Sequence, residues 1–167
     1  MKKRFAGLLA AVLVGFGGAA ASAQASYNEI RNYGSGLCAG LNWWEYNYDG
    51  ASVVQQTCDG SPEQRWAEVP LGGGVYRFVN GRNGKCMDVR DARDADSQPV
   101  QVWSCSSSRG MLWRVPYLPA WGPVQIRSAL SGGRCLDVRS GSLQPGAVIQ
   151  IYRCTSNNPA QLWTVHA

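Results

Sequence analysis

A threefold recurrence constrains this chain more than any other feature. Cys38, Cys86 and Cys135 stand 48 and 49 residues apart, Cys58, Cys105 and Cys154 stand 47 and 49 apart, and Trp66, Trp113 and Trp163 stand 47 and 50 apart. Three independent landmarks with one period mark three copies of one supersecondary unit. No such unit buries its apolar face alone, so three of them close most simply about a pseudo-threefold axis. The units are read as approximately residues 26–71, 72–119 and 120–167 of a single domain over 26–167.

Each unit reads alike. A short apolar strand comes first: Glu29-Ile30-Arg31, Tyr76 to Val79, or Val124 to Arg127. A turn follows, with Gly36, Gly84 or Gly133 two residues before a cysteine. The next strand runs Cys86-Met87-Asp88-Val89-Arg90 or Cys135-Leu136-Asp137-Val138-Arg139. A polar loop leads to Val100-Gln101-Val102-Trp103 or Ile149-Gln150-Ile151-Tyr152 and the second cysteine. The unit closes on Gln64-Arg65-Trp66, Met111-Leu112-Trp113 or Gln161-Leu162-Trp163. Short strands with frequent turn signals and no sustained helical period predict an all-β fold. Val69 to Gly74 and Pro116 to Pro119 are dense in Pro and Gly and are expected to be connections.

If each unit carries its own bridge, the six cysteines pair as Cys38–Cys58, Cys86–Cys105 and Cys135–Cys154. Each bridge closes a loop worth roughly 3 kcal/mol in the chain-entropy model. Such use of cysteine belongs to an oxidising compartment. The N-terminus agrees. Lys2, Lys3 and Arg4 precede an apolar run from Phe5 to Phe16 and a small-residue tail to Ala25, the order of a secretory signal peptide over 1–23. Cleavage is expected after Ala23 or after Ala25. The apolar run is shorter than the roughly 20 residues of a membrane span. The expected location is secreted and extracellular, or periplasmic in a Gram-negative bacterium.

Removal of the leader takes three of the 16 basic residues, so the balance against 11 acidic ones becomes 13 − 11 = +2. That charge is small and scattered, which argues against a nucleic-acid or membrane surface. Neither a cofactor nor a metal is expected, since His166 is the sole histidine and no cysteine pair has zinc-ligand spacing. Asp91, Asp94 and Asp96 lack the glycine and closing glutamate of a calcium loop and read as a charged surface loop. No nucleophile, zinc or phosphate-loop motif is present, so the expectation is a binding module and not an enzyme.

Three units closing on Gln-x-Trp or its equivalent, with Cys-x-Asp upstream, resemble the ricin-B lectin family over essentially the whole exported part. The segment Gly81-Arg82-Asn83-Gly84-Lys85-Cys86-Met87-Asp88-Val89-Arg90-Asp91 carries the likeness most closely. The resemblance implies a β-trefoil that binds galactose, xylan or other sugars. It gives the aspartate of Cys-x-Asp the role of hydroxyl acceptor, and the aromatic two residues before the second cysteine the role of stacking platform. A glutamine holds the aspartate, an asparagine before Gln-x-Trp donates to the same sugar, and the closing tryptophan belongs to the core. The chemistry is apt, because a pyranose offers hydroxyls at its edge and C–H bonds on its face.

Position by position, the third unit has Asp137, Gln150 and Tyr152, but Ala160 stands where the asparagine is expected and Asn157 or Asn158 would have to replace it. The second has Asp88, Gln101 and Trp103, but Gly110 and Met111 replace the Asn-Gln pair. The first has Gly40 and Gln56 in place of aspartate and aromatic, so no site of the family type is expected there. Gln64, Trp66, Trp113, Gln161 and Trp163 are assigned to the core motif. The loop Trp43-Trp44-Glu45-Tyr46-Asn47-Tyr48 holds four aromatics, more than one small core takes in. It is expected either to pack locally in part or to expose a patch through Trp43, Trp44, Tyr46 and Tyr48 for a glycan or a protein partner. The expected function is thus a secreted lectin for galactose- or xylose-type glycans. The alternative is a non-catalytic glycan- or receptor-binding subunit of a toxin or other multi-chain assembly, working through that loop.

Overall fold

The computed structural model describes residues 26–116 and 122–166. The leader, its two cleavage points and the connection from Tyr117 to Pro119 lie outside those residues. Twelve strands follow one another among the described residues: β1 Tyr27–Asn32, β2 Cys38–Leu41, β3 Val53–Gln56, β4 Arg65–Gly72, β5 Val75–Asn80, β6 Cys86–Val89, β7 Gln98–Trp103, β8 Trp113–Arg114, β9 Arg127–Ser128, β10 Cys135–Val138, β11 Ile149–Tyr152 and β12 Trp163–His166. All helical turns among the described residues are short 3₁₀ segments. None is long and apolar enough to cross a membrane.

Six strands make a closed ring. β1 pairs with β4, β4 with β5, β5 with β8, β8 with β9, and β12 returns to β1. Val124 and Trp163 close the remaining seam by exchanging both backbone hydrogen bonds, at 2.8 and 2.9 Å. Three hairpins, β2–β3, β6–β7 and β10–β11, cap one end of the ring. They meet through β7–β11 pairing and through bridges joining Ser52 to Gln101 and Val54 to Val148. Ring and cap repeat three times, which is the β-trefoil. Each unit holds one disulfide: Cys38–Cys58, Cys86–Cys105 and Cys135–Cys154.

The repeated landmarks now have physical roles. Trp66, Trp113 and Trp163 are fully buried, and each indole N–H donates to a carbonyl on its own unit's first cap strand: Ala39, Met87 and Leu136, at 2.9, 3.0 and 2.9 Å. Every closing tryptophan thereby ties the ring to the cap and has its own buried N–H paired. Around them pack Ile30, Leu41, Phe78, Val102, Leu136 and Ile151, one continuous core. Gly36, Gly84 and Gly133 adopt φ of 70°, 68° and 55°, a left-handed turn that glycine enters without steric cost.

Two expectations need correction. Val69 to Gly72 is not a connection but the outer half of β4, where Val69 pairs with Arg77 and Pro70 with Tyr76. The chain turns only at Gly73-Gly74. Proline is tolerated there because the register shifts between Pro70 and Gly72, and a bulge spares the missing N–H. Conversely, the strand expected at Val124 to Arg127 shrinks to β9 plus the single bridge at Val124. Pro123 just before it has no N–H to pair, and the Gln125 side chain donates to the Thr155 carbonyl and accepts from Arg127.

Candidate functional site

In the third unit, antiparallel register sets Asp137 of β10 directly opposite Gln150 of β11, and Cys135 opposite Tyr152. Asp137 is 5 % exposed and its carboxylate lies between two amides. Gln150 donates to one oxygen at 2.8 Å and Gln161, from the closing motif, donates to the other at 3.1 Å. Gln150 is itself oriented by Arg139, whose Nε donates to its Oε1 at 3.0 Å. The arginine therefore steadies the aspartate through the glutamine and makes no direct ion pair. Burial raises the Asp137 carboxyl above the usual carboxylate range, and the two amide hydrogen bonds oppose that rise.

These groups floor an open cleft of about 500 Å³ walled by Tyr152, Asn158, Ala160 and Ser97. Of the two asparagines proposed to replace the missing one, Asn158 reaches the cleft. Its Oδ1 caps the turn by accepting from the Ala160 N–H at 3.1 Å, and its Nδ2 donates to Thr155. Ionised Asp137 retains unused lone pairs toward the cleft, since each carboxylate oxygen accepts more than one donor. The arrangement offers a fixed acceptor pair beside an aromatic face.

The second unit repeats this with one part missing. Asp88 of β6 faces Gln101 of β7, which donates to it at 2.9 Å and is held by Arg90 at 3.0 Å. Trp103, 44 % exposed, supplies the aromatic wall of a cleft of about 300 Å³. Met111 takes the place of the motif glutamine. Its sulfur accepts from the Ser106 N–H, as Gln161 Oε1 accepts from Thr155, but it has no proton to give Asp88. Burial again raises the Asp88 carboxyl, helped by the charge on Asp91 and opposed by Gln101. Gly110 is also no simple loss. A Cβ there would lie 2.6 Å from an Asp88 oxygen and 2.9 Å from the Val89 carbonyl, so the chain itself closes over the aspartate and excludes any side chain.

In the first unit Gly40, Val54 and Gln56 stand where Asp137, Gln150 and Tyr152 stand in the third. A Cβ at Gly40 would meet Gln64 Cγ at 2.9 Å. Gln64 instead donates to Thr57 and accepts from the Asp59 N–H. The one carboxylate among the described residues lining this unit's pocket, Asp59, is exposed.

Sequence reasoning missed the contacts that neighbouring units make beside the clefts. Asp49 accepts from the Ser104 N–H at 2.8 Å and pairs with Lys85, while Gly50 lies against the Trp103 ring. One unit later, Asp96 accepts from the Arg153 N–H at 2.9 Å and pairs with Arg134 and Arg153. These cations hold Asp49 and Asp96 below the usual carboxylate range, with Lys85 and Arg134 the leading causes. Asp94 pairs with Arg134 too, so two of the three loop acids are bound by arginines. The available signal was the 47-residue spacing of Asp49 and Asp96, the period of the cysteines.

A threefold ring capped by hairpins, with a glutamine-held carboxylate beside an aromatic in two of three units, defines a β-trefoil of the lectin type. The chain belongs to the ricin-type beta-trefoil lectin domain-like family, whose model matches residues 16–103, more than half its length. It is 43 % identical over 37 residues to nigrin b of Sambucus nigra, a stretch of 22 % of this chain and 7 % of that protein. Among solved structures it is similar to the designed threefold-symmetric protein ThreeFoil, at 29 % identity and a TM-score of 0.79, covering 84 % of this chain and 98 % of that one. It is also similar to part of an exo-β-1,3-galactanase from Clostridium thermocellum, at 25 % identity and a TM-score of 0.79, covering 86 % of this chain and 30 % of the enzyme. The chain thus spans a small part of nigrin b and under a third of the galactanase.

Proposed function

We propose that the protein is an exported, non-catalytic lectin whose main site is the third-unit cleft and whose weaker site is the second. The observation that carries this reading is the buried Asp137 carboxylate, held by Gln150 and Gln161 beside the Tyr152 ring. Asp137 accepts from two adjacent sugar hydroxyls, Tyr152 stacks on the sugar's C–H face, and Gln150 fixes the carboxylate. Asp88, Gln101 and Trp103 do the same with one supporting donor fewer. The ligands are galactose- or xylose-type glycans. The galactanase neighbour acts, by its name, on a β-1,3-linked galactan, which makes galactosides the first ligands to try.

Export is supported by three disulfides and by the leader-like N-terminus. A non-catalytic role is supported by the match to the lectin-type family. A glycan array tests both the class and the ligand. The parent should bind terminal galactosides or xylosides and release no sugar from the same polysaccharides. An array without signal, or release of reducing sugar, would refute the lectin reading.

A further inference from the structure

In both carboxylate clefts the aromatic platform is held by the unit before it. Tyr152 stands between Ile151 and Arg153, and the backbone of each bonds to the second unit. The Ile151 carbonyl accepts from the Ser97 N–H at 3.0 Å, and the Arg153 N–H donates to Asp96 at 2.9 Å. Asp96 also holds the Arg153 side chain, whose guanidinium lies 5.7 Å from the Tyr152 ring centre. Ser97 keeps a left-handed φ of 65° where the other two units have Gly50 and Gly146, a strain that persists only where the surroundings fix it. The first unit brackets Trp103 in the same way. The Val102 carbonyl accepts from the Gly50 N–H and the Ser104 N–H donates to Asp49, both at 2.8 Å. The loop leading to Asp49 is anchored on the second unit through Tyr46, which packs against the core, accepts from the Asn83 side chain and lies 4.8 Å from the Arg82 guanidinium. Trp43 and Trp44 of that loop pack on each other, ring centroids 3.3 Å apart, and stay exposed. At the remaining seam only half of the bracket survives. The Gly146 N–H donates to the Gln55 carbonyl at 2.7 Å, but Pro145 brings no side-chain acceptor to Thr57, and Gln56 replaces the aromatic. Bracketing acid and aromatic are kept together in two units and lost together in one.

We propose that Asp49 and Asp96 are positioning residues for sugar binding, each fixing the aromatic platform of the next unit's cleft, so that every carboxylate site is completed by two units. The proposal rests on the lectin reading for its ligand but concerns residues outside the sugar-contacting set. Trp103 and Tyr152 are the last residues of β7 and β11, where strand pairing ends. A ring at such a place turns freely unless the backbone on both sides is held. Stacking needs a fixed face, and ordering a loose side chain on binding subtracts from affinity. The same carboxylates also meet a cation of the following unit, Lys85 with Asp49 at 2.6 Å and Arg134 with Asp96 at 2.8 Å. Each cation precedes the first cysteine of its unit's bridge, and each bonded N–H precedes the second. One carboxylate thus spans both ends of a disulfide. Joining the units would need the cation alone. The bond to the N–H just past the platform directs the clamp at the ring.

The test reads ring motion and affinity separately, on the whole protein. By nuclear magnetic resonance, the heteronuclear Overhauser effect of the Trp103 indole N–H should fall in Asp49→Ala, while those of buried Trp66, Trp113 and Trp163 stay as in the parent. Asp49→Asn, which keeps an acceptor oxygen, should restore it. Lactose titrated calorimetrically into the second cleft, isolated by Asp137→Ala, should bind about fivefold more weakly once Asp49→Ala is added. Asp96→Ala should spare that cleft and weaken the third, isolated by Asp88→Ala, to the same extent. A Trp103 indole as rigid in Asp49→Ala as in the parent overturns the proposal. So does lactose affinity unchanged at both clefts, or an equal loss at both from either variant, which is what general destabilisation gives. Absence of lactose binding in the parent strikes the carboxylate sites instead, and the indole measurement then decides whether Asp49 fixes the platform.

Discussion

Asp137 and Asp88 occupy equivalent strand positions and differ by one donor. Gln161 gives Asp137 a second amide that Met111 cannot give Asp88. Met111→Gln should therefore strengthen galactoside binding at the second cleft by roughly 1 kcal/mol, about fivefold, since one hydrogen bond to a held carboxylate is regained. Titration of the variant on an Asp137→Ala background isolates that cleft, and an unchanged or weaker affinity would contradict the assigned role. Both aspartates are raised by burial, and the signs for stability and for binding are opposite. A raised folded-state value contributes stability below the unfolded value, and that contribution is lost as pH rises through the folded one. A sugar donating its hydroxyls needs the ionised form. Galactoside affinity should accordingly fall as pH drops through the raised value, starting above the normal carboxylate range near 4. Affinity constant down to pH 4 would show that the carboxylates are not the acceptors. Asp88, Asp137 and their glutamines were legible through the family resemblance, which the repeated cysteines set in register. That Arg90 and Arg139 reach those glutamines and not the aspartates, and that Gly110 closes over Asp88, was not, because both depend on where side chains and loops return in space.

At the scale of elements, the closing tryptophans join ring to cap, a structural role. Trp163→Ala should cost about 3–5 kcal/mol, a large share of a domain's stability, and lower the melting temperature measured by calorimetry. A variant that melts like the parent yet binds no sugar would mean that core and site had been exchanged. The strands themselves were readable from apolar runs and turn glycines. The outer half of β4 was not, since Pro70 and three glycines read locally as a break and only pairing with Arg77, Tyr76 and Val75 makes Val69 to Gly72 a strand. Buried Asn32 and Asn80 escaped notice for the same reason. Their side-chain N–H groups satisfy carbonyls of Pro159, Ala160 and Leu162, and of Glu63 and Arg65, across long sequence separations.

Across the whole molecule, threefold symmetry holds in the frame and fails in the function. The seams from first to second unit and from second to third carry an acid–base clamp, Asp49–Lys85 and Asp96–Arg134. The seam from third to first has Pro145 and Leu37 at those positions. It is held instead by buried Gln55, which donates to the Ser142 and Gln144 carbonyls at 2.8 and 2.9 Å. The frame was legible because periodicity repeats it three times. The asymmetry appears only once the units are folded against one another. It predicts unequal sites: a leading one at Asp137, a weaker one at Asp88, and none of the carboxylate type at Gly40. The most direct test is calorimetric titration of a galactoside or xyloside that binds the parent into Asp137→Ala, Asp88→Ala and the double variant. A hydrogen bond to a charged group contributes about 1.5–3 kcal/mol, so Asp137→Ala should lose at least tenfold in affinity and Asp88→Ala less. The double variant should show no binding. A double variant that binds as the parent does would contradict the account.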